Sequence, residues 1–590
     1  SALTEPVTTT LRVTLVADFA PIQAVKAGVA GVGFDFAFVG GDAGGATADR
    51  IDALAGGERA RLAAGSASAA LEAPGAEVRI VRPENSGGMV QVVMDWPVTV
   101  PAKGSVTLGW HAELRDDAAV VQGASGQPEW RDARVEAGDT RLARWSARAL
   151  DDLSALRMTT AAHPHEPFLA AGAPWFFTLF GRDSIWAARL LLPLGTDIAG
   201  STLRVLAGLQ GTATVGETAE QPGKIMHELR PATFTIPGEG VSLPPLYYGT
   251  VDATALWVSL LLDAWRWGLP DDEVRALLPN LRRALEWMRD HGDSDGDGFL
   301  EYADTTGHGL ANQGWKDSGD SVQWRDGRLA EGPIALCEVQ GYAYEAALGG
   351  AELLEHFGEP GAAEWRGWAA ALADRFRQAF WVTDARGRHY PAIALDAAKR
   401  PVDTLTSNIG HLLGTGILNA GEAAEVAALL ASPELDSGFG LRTMATDSAG
   451  YWPLSYHGGS VWAHDTAIAI RGLAHDGFRA EAAALSAGLL AAAESFGYRM
   501  PELHSGDAAT SVVAPAPYPA ACRPQAWSAA AAVAVAAAAV DARPTPDRAG
   551  ITVAPLADAA LGHVALEGVR VGAARFKVHS TAAGASVSPA

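Results

Sequence analysis

Apolar and polar positions follow two periods along this chain, and the period changes once, near residue 140. Before about residue 135 the period is two. Segments 8–16, 78–81 and 90–94 alternate apolar with polar side chains and are rich in β-branched residues. Clusters of Gly, Pro, Asn and Asp separate them. This texture predicts a β-sandwich over residues 1–135. The chain opens almost directly into a strand and has no initiator Met. The expected product is therefore truncated or processed, with the first strands of the sandwich missing.

From about residue 141 the period lengthens to that of Ala/Leu-rich helices. Twelve helices are predicted, near 141–156, 182–195, 197–211, 252–267, 271–291, 334–357, 360–382, 404–415, 419–432, 460–475, 478–495 and 523–541. Connections after even-numbered helices are short, as at Gly268-Leu269-Pro270, Phe357-Gly358-Glu359 and Asp476-Gly477. Those after odd-numbered helices are long: 157–181, 212–251, 293–333, 383–403, 433–459 and 496–522. In an array of antiparallel helix pairs, alternate connections share an end. All six long loops then gather on one face, where long loops usually carry function. Six pairs with one elaborated face describe an (α/α)6 barrel, assigned to 136–545. An open helical solenoid would show a repeat of fixed length, and none is visible. The fold class is thus mainly α, with the N-terminal sandwich and a short C-terminal β segment over 546–590. The last ten residues are expected to be a flexible tail.

The composition narrows the function. The chain has 590 residues and a formal net charge of −23. So acidic a surface repels phosphate backbones and argues against nucleic acid as a partner. The 18 Trp outnumber the 17 Phe and 10 Tyr. Indole faces are common platforms for sugar rings, although a large core can also use Trp. Two cysteines, Cys337 and Cys522, allow one disulfide and exclude a disulfide framework, which fits a reducing cytoplasm. The most apolar stretch, 526–540, is too short to span a bilayer, and no secretory signal is visible. No membrane association is expected.

The chemistry-bearing residues cluster in the long loops. The first loop ends in Phe180-Gly181-Arg182-Asp183-Ser184. An Arg–Asp pair beside an aromatic can clamp vicinal hydroxyls, one residue donating and the other accepting. An Asp N-cap beside an exposed Arg would look the same in sequence. The second loop holds His227-Glu228-Leu229-Arg230 and ends at Asp252, itself readable as an N-cap. The third carries Trp315-Lys316-Asp317-Ser318. A carboxyl beside a Trp in an apolar cleft has its pKa raised by desolvation, as a general acid needs, although Lys316 would oppose this. The fifth loop supplies an aromatic wall from Tyr451 to Trp462, including Tyr456 and His457, and the sixth supplies Glu502. Asp317 and Glu502 facing each other across one cleft are the minimum kit for glycoside hydrolysis. Separately, Asp293, Asp295, Asp297 and Gly298 follow the opening of an EF-hand calcium loop, but position twelve is Asp304 and not Glu. A metal-free Asp/Gly turn explains the same spacing. No cofactor is required, and a structural calcium is the one metal considered. No zinc spacing or Walker-type loop is present.

These motifs together resemble the bacterial glycogen-debranching-enzyme-like proteins of the amylo-α-1,6-glucosidase type. More distantly, they are similar to glucoamylases, trehalases and other glycosidases of the (α/α)6-barrel group. The resemblance covers roughly residues 10–580. It rests on 180–184, 223–230, 315–318, 456–462 and 501–503. It implies Asp317 as the acid and Glu502 as the base. It also implies that the Phe180–Asp183 segment holds the terminal sugar, with Phe180 where such enzymes more often have Trp. There is no glucanotransferase module, so only the hydrolytic half of debranching is implied. The expected function is an exo-acting, inverting α-glycoside hydrolase, an α-glucosidase acting on oligosaccharides or α-1,6 branches. Phe180, Arg182, Asp183, His227, Glu228, Arg230, Asp252, Trp315, Lys316, His457 and Trp462 would bind the substrate. The alternatives are an inverting phosphorylase, a hydrolase of the same fold acting on another α-linked sugar, and a non-catalytic sugar-binding protein.

Overall fold

A computed structural model describes residues 4–17, 51–83, 89–236, 240–554, 561–581 and 583–590. They fall into two compact units, Ser1–Val120 and Val121–Ala590. In the first unit, Val90–Val100 pairs antiparallel with both Val7–Ala17 and Glu77–Val81. A second sheet runs Asp52–Gly56, Arg59–Ala64, Ala67–Glu72, His111–Asp116. Alternate residues of the two sheets, including Leu62, Leu71, Val78, Val92, Met94 and Trp96, meet in one core. The period of two seen in the sequence is the signature of this one-sided burial. The Trp96 indole N–H donates to the Pro74 carbonyl at 2.9 Å, which satisfies the one polar atom that Trp96 buries.

Eleven α-helices are described in the second unit. They are α1 (Thr140–Ala155), α2 (Gly181–Leu191), α3 (Asp197–Gly208), α4 (Ala253–Arg266), α5 (Asp271–Asp290), α6 (Cys337–His356), α7 (Ala362–Ala379), α8 (Ala420–Leu430), α9 (Ala463–Asp476), α10 (Arg479–Ser495) and α11 (Ala526–Val540). The eighth expected helix, at 404–415, is a 3-10 segment, Ser407–Leu412. Ser, Asn, Gly and His favour the helix interior poorly. Gly410 also sits so close to α9 that a Cβ there would lie 2.9 Å from that of Ala469. Packing draws the chain in where a regular helix would not fit.

Helices α2, α4 and α6, the 3-10 segment, α9 and α11 pack on one another in that order, and α11 returns to α2. This closed inner ring is flanked by α1, α3, α5, α7, α8 and α10. The two layers differ as burial requires. Almost every residue of α4 and α11 is buried, whereas α5 and α7 bury one stripe and expose the other. Small side chains let α11 lie close to both α2 and α9. Each inner element follows a long loop, and short antiparallel pairs knit those loops together. Examples are Glu228–Leu229 with Leu246–Tyr247, and Val461–Trp462 with Leu503–His504.

The C-terminal residues supply three strands of a four-stranded sheet, in the order Gly584–Pro589, Ala574–Thr581, Val564–Val571, and Arg134–Ala137 supplies the fourth. The expected flexible tail is therefore a paired strand from Gly584 to Pro589, held by backbone hydrogen bonds along Ala574–Thr581. Cys337 and Cys522 are buried free thiols, so the disulfide that two cysteines allow is not formed. Among the described residues, no helix is long and apolar enough to cross a membrane.

Candidate active site

The first turns of the inner elements meet. Arg182 of α2 faces Asp252 at the start of α4 at 3.5 Å. Glu338 of α6 accepts from Asn408 of the 3-10 segment at 2.9 Å. His411 pairs with Asp465 of α9 at 2.8 Å. His464 stacks on Trp527 of α11 with ring centroids 3.7 Å apart. The helix N-termini thus point their partial positive ends toward one region, which favours carboxylates there.

Arg182 is the hub. It is almost wholly buried, donates to the Gly314 carbonyl at 2.9 Å and to Asp317 at 3.1 Å, and reaches Asp252. Burial works against its cation, and Asp252, Asp317 and Asp183 outweigh that burial. The exposed-Arg reading of the motif is excluded. Asp252 does stand at the N-cap of α4, as the sequence allowed, but its side chain makes no capping bond and instead accepts from Thr250 at 2.7 Å. Asp183 lies inside the first turn of α2. Burial pushes its pKa up to about 8; Arg182 opposes this, and Asp317, Glu502 and Asp252 reinforce it. Four acidic groups and one guanidinium therefore share one electrostatic neighbourhood. Gly181 makes the approach feasible, because a Cβ there would lie 2.1 Å from the Met226 carbonyl.

Asp317 keeps 30% of its side chain accessible, although protein surrounds it densely enough to desolvate it. Burial raises its pKa; Arg182 opposes this and Asp252 adds to it. The opposing cation is thus Arg182 and not the neighbouring Lys316. Lys316 turns into the core and donates to the Thr443 carbonyl at 2.5 Å. Burial lowers its pKa to about 8, against the pull of Asp465 and Glu338. Glu502 is nearly inaccessible, and its two oxygens accept from Tyr456 Oη at 2.5 Å and Cys522 N–H at 2.9 Å.

The aromatic wall is continuous. Trp315 stacks on His411 at 5.7 Å and meets His457, Trp462 and His464 edge-on. His457 stacks on Trp462 at 5.0 Å. Burial holds the His457 and His227 pKa values well below that of a free imidazole, so both are neutral. Phe180 packs edge-on to His227. Arg230 lies over the Phe180 ring and bonds Glu228 at 2.7 Å.

The sequence reading did not single out Glu338, Tyr342, Asn408, His411 or Asp465. Tyr342 hydroxyl bonds His411, whose other ring nitrogen bonds Asp465, directly behind Trp315. The available signal was polar residues interrupting otherwise apolar inner helices.

Two other places are accounted for structurally. In the Asp turn, the Lys399 ammonium lies 2.8 Å from Asp295, 2.8 Å from Asp297 and 2.5 Å from Glu301. Asp293 accepts from Gly296 and Gly298 backbone N–H groups. Asp304, at position twelve, bonds Thr306 and Gly309. Asp293, Asp295 and Asp297 also bring oxygens within 4.8 Å of one another, close enough for a metal ion, so the lysine and an ion would share these ligands. A cavity of about 440 Å³ opens at the opposite, tight-turn end of the ring. There Arg189 bridges Asp263 and Glu345, and Arg266 pairs with Glu352. These matched pairs sit beyond the first turns of the inner helices, away from the carboxylates described above.

Residues 218–502, just under half the chain, match the mannosylglycerate hydrolase MGH1-like glycoside hydrolase domain. The matched span runs through Asp252, Asp317 and His457 and ends on Glu502. No curated protein matches the chain. Among solved structures, an uncharacterized conserved protein from Thermus thermophilus aligns with a TM-score of 0.50 at 16% identity, covering 66% of this chain and 99% of that one. A sialidase aligns at 0.57 and 10% identity, covering 88% and 52%. A GH63 mannosylglycerate hydrolase from Thermus thermophilus, in complex with Tris, aligns at 0.48 and 16% identity, covering 66% and 99%. At these identities the likeness concerns the fold alone. The domain match supports a glycosidase.

Proposed function

We propose that this protein is an exo-acting, inverting α-glycoside hydrolase built on an (α/α)6 barrel over 136–545, with 1–135 and 546–590 as its accompanying β segments. The observation that carries the reading is that Asp317 and Glu502 share two neighbours. The two come from loops 185 positions apart, and both act on the same phenol, Tyr456, and the same carboxyl, Asp183.

Asp317 protonates the leaving glycosidic oxygen. It is the accessible member of the pair, and burial raises its pKa. Glu502 is the base. Its two oxygens accept from Tyr456 Oη and Cys522 N–H, which holds the carboxylate in one orientation, as a base that receives a proton from water requires. Water then attacks the anomeric carbon from the face opposite the leaving group, and the configuration inverts. Arg182, Asp183, Asp252, Glu228 and Arg230 fix the hydroxyls of the terminal sugar, and Trp315, His457 and Trp462 wall the pocket.

The narrower reading is an α-glucosidase on short oligosaccharides or α-1,6 branches. A second reading, α-mannoside hydrolysis on a small polar aglycone, is favoured by the domain match at 218–502. Isomaltose, maltose and α-mannosylglycerate, each with and without phosphate, separate these readings and the phosphorolytic alternative. Hydrolysis of one without phosphate is expected. Asp317→Asn and Glu502→Gln should each lower kcat by about 10²–10⁴-fold or more while substrate still binds. Near-normal turnover in either variant overturns the assignment.

A further inference from the structure

Tyr456 and His457 are consecutive, yet they hold opposite sides of the site. The Tyr456 hydroxyl donates to Glu502 at 2.5 Å. His457 Nδ1 lies 2.8 Å from the hydroxyl of Ser318, the residue after Asp317. That hydroxyl is also 2.7 Å from Asp320, whose carboxylate only accepts. The Ser318 backbone N–H also points at His457 Nδ1, at 3.4 Å, so Ser318 meets the imidazole through both its hydroxyl and its backbone.

The dipeptide is itself held rigidly. The Tyr456 carbonyl accepts from the Trp462 indole at 2.8 Å and from the Ser460 hydroxyl at 2.8 Å. The Trp462 ring stacks on His457, and its backbone pairs with Leu503, next to Glu502.

We infer that Tyr456-His457 is a two-ended spacer that sets the position of the Glu502 carboxylate relative to Asp317. Both are positioning residues, and the inference rests on the acid–base reading above. Inversion needs room for one water between the sugar and the base, so a fixed separation is the quantity to protect. One rigid dipeptide reaching both loops fixes it more tightly than two independent supports.

Crystal structures of Tyr456→Phe, His457→Ala and His457→Asn test the spacer without a substrate. Tyr456→Phe should displace the Glu502 carboxylate and leave Asp317 in place. His457→Ala should displace the 317–320 loop and leave Glu502 in place. His457→Asn, whose amide can meet Ser318 from the Nδ1 position, should restore the loop. The second arm is the pH dependence of kcat/KM on α-glucosyl fluoride and α-mannosyl fluoride. The phenol donates its hydrogen bond to the carboxylate, so its loss should move the acid limb up. Asp183, Asp317, Tyr518 and Cys522 also face this pair and are unchanged in the variant. Fluoride needs little acid assistance. His457→Ala should therefore lose less on the fluorides than on an O-glycoside, whereas Tyr456→Phe should lose on both. Unmoved carboxylates in the variant structures overturn the spacer. If Glu502→Gln keeps its activity, the acid–base reading fails, and the crystallographic arm still decides the spacer.

Discussion

Asp183→Asn should make the protein more stable while impairing it. The native environment pushes the Asp183 pKa from 3.8 up to about 8. A carboxyl raised on folding contributes its full stability below its ordinary pKa and loses it as pH rises toward the folded value. At pH 4 the wild type and the variant should unfold at nearly the same temperature. By pH 7 the unfolded wild-type chain has ionised freely while the native one has not. At about 1.4 kcal/mol per pH unit, this costs the wild type about 4 kcal/mol. Asn has the same shape and does not titrate, so it escapes that cost. A unit the size of 121–590 has an unfolding entropy of about 1 kcal/mol per kelvin, so the variant's melting temperature should exceed the wild type's by about 4 °C at pH 7. The excess should grow from pH 4 and level off above pH 8. Differential scanning calorimetry at matched ionic strength measures it, with turnover assayed in parallel. An excess that does not change with pH, or a variant less stable at pH 7, would refute the reasoning that Asp183 is held protonated by its surroundings.

Two further variants probe the neighbouring charges. Arg182→Lys replaces a fork that spans Gly314, Asp317 and Asp252 with a point charge. It should lower kcat by about 10²-fold and move the basic limb of the pH–rate profile upward, as the cation opposing Asp317 protonation weakens; wild-type turnover would contradict this. Lys399→Met removes the ammonium from Asp295, Asp297 and Glu301. Millimolar calcium should then raise the melting temperature of the variant by more than that of the wild type; equal responses would contradict the lysine's hold on these ligands.

The helical architecture was legible because burial writes itself into composition. Inner α4 and α11 are apolar on every face, outer α5 and α7 on one, and loop length alternates with them. The segment at 404–415 misled because its apolar spacing is helical while Gly410 and its neighbours are shaped by contact with α9. The final strand was hidden because it is held by backbone pairing, which small side chains neither favour nor reveal. In the site, the loops bearing Asp317, Glu502 and the Arg182–Asp183 pair stood out by their clustered residue types. What those residues face did not. Lys316 is adjacent to Asp317 in sequence, yet the cation on Asp317 is Arg182, 135 positions away. The calcium-like spacing of the Asp turn was equally blind to Lys399, which lies about a hundred positions downstream.

The central claim is that Asp317 and Glu502 act as acid and base on opposite faces of one sugar. Proton NMR of the first product released from an α-linked substrate addresses it directly. The anomeric signal of the β-sugar should appear first and decay to the equilibrium mixture by mutarotation. Initial release of the α-anomer would contradict the account, because it would require a covalent intermediate at one of the two carboxylates.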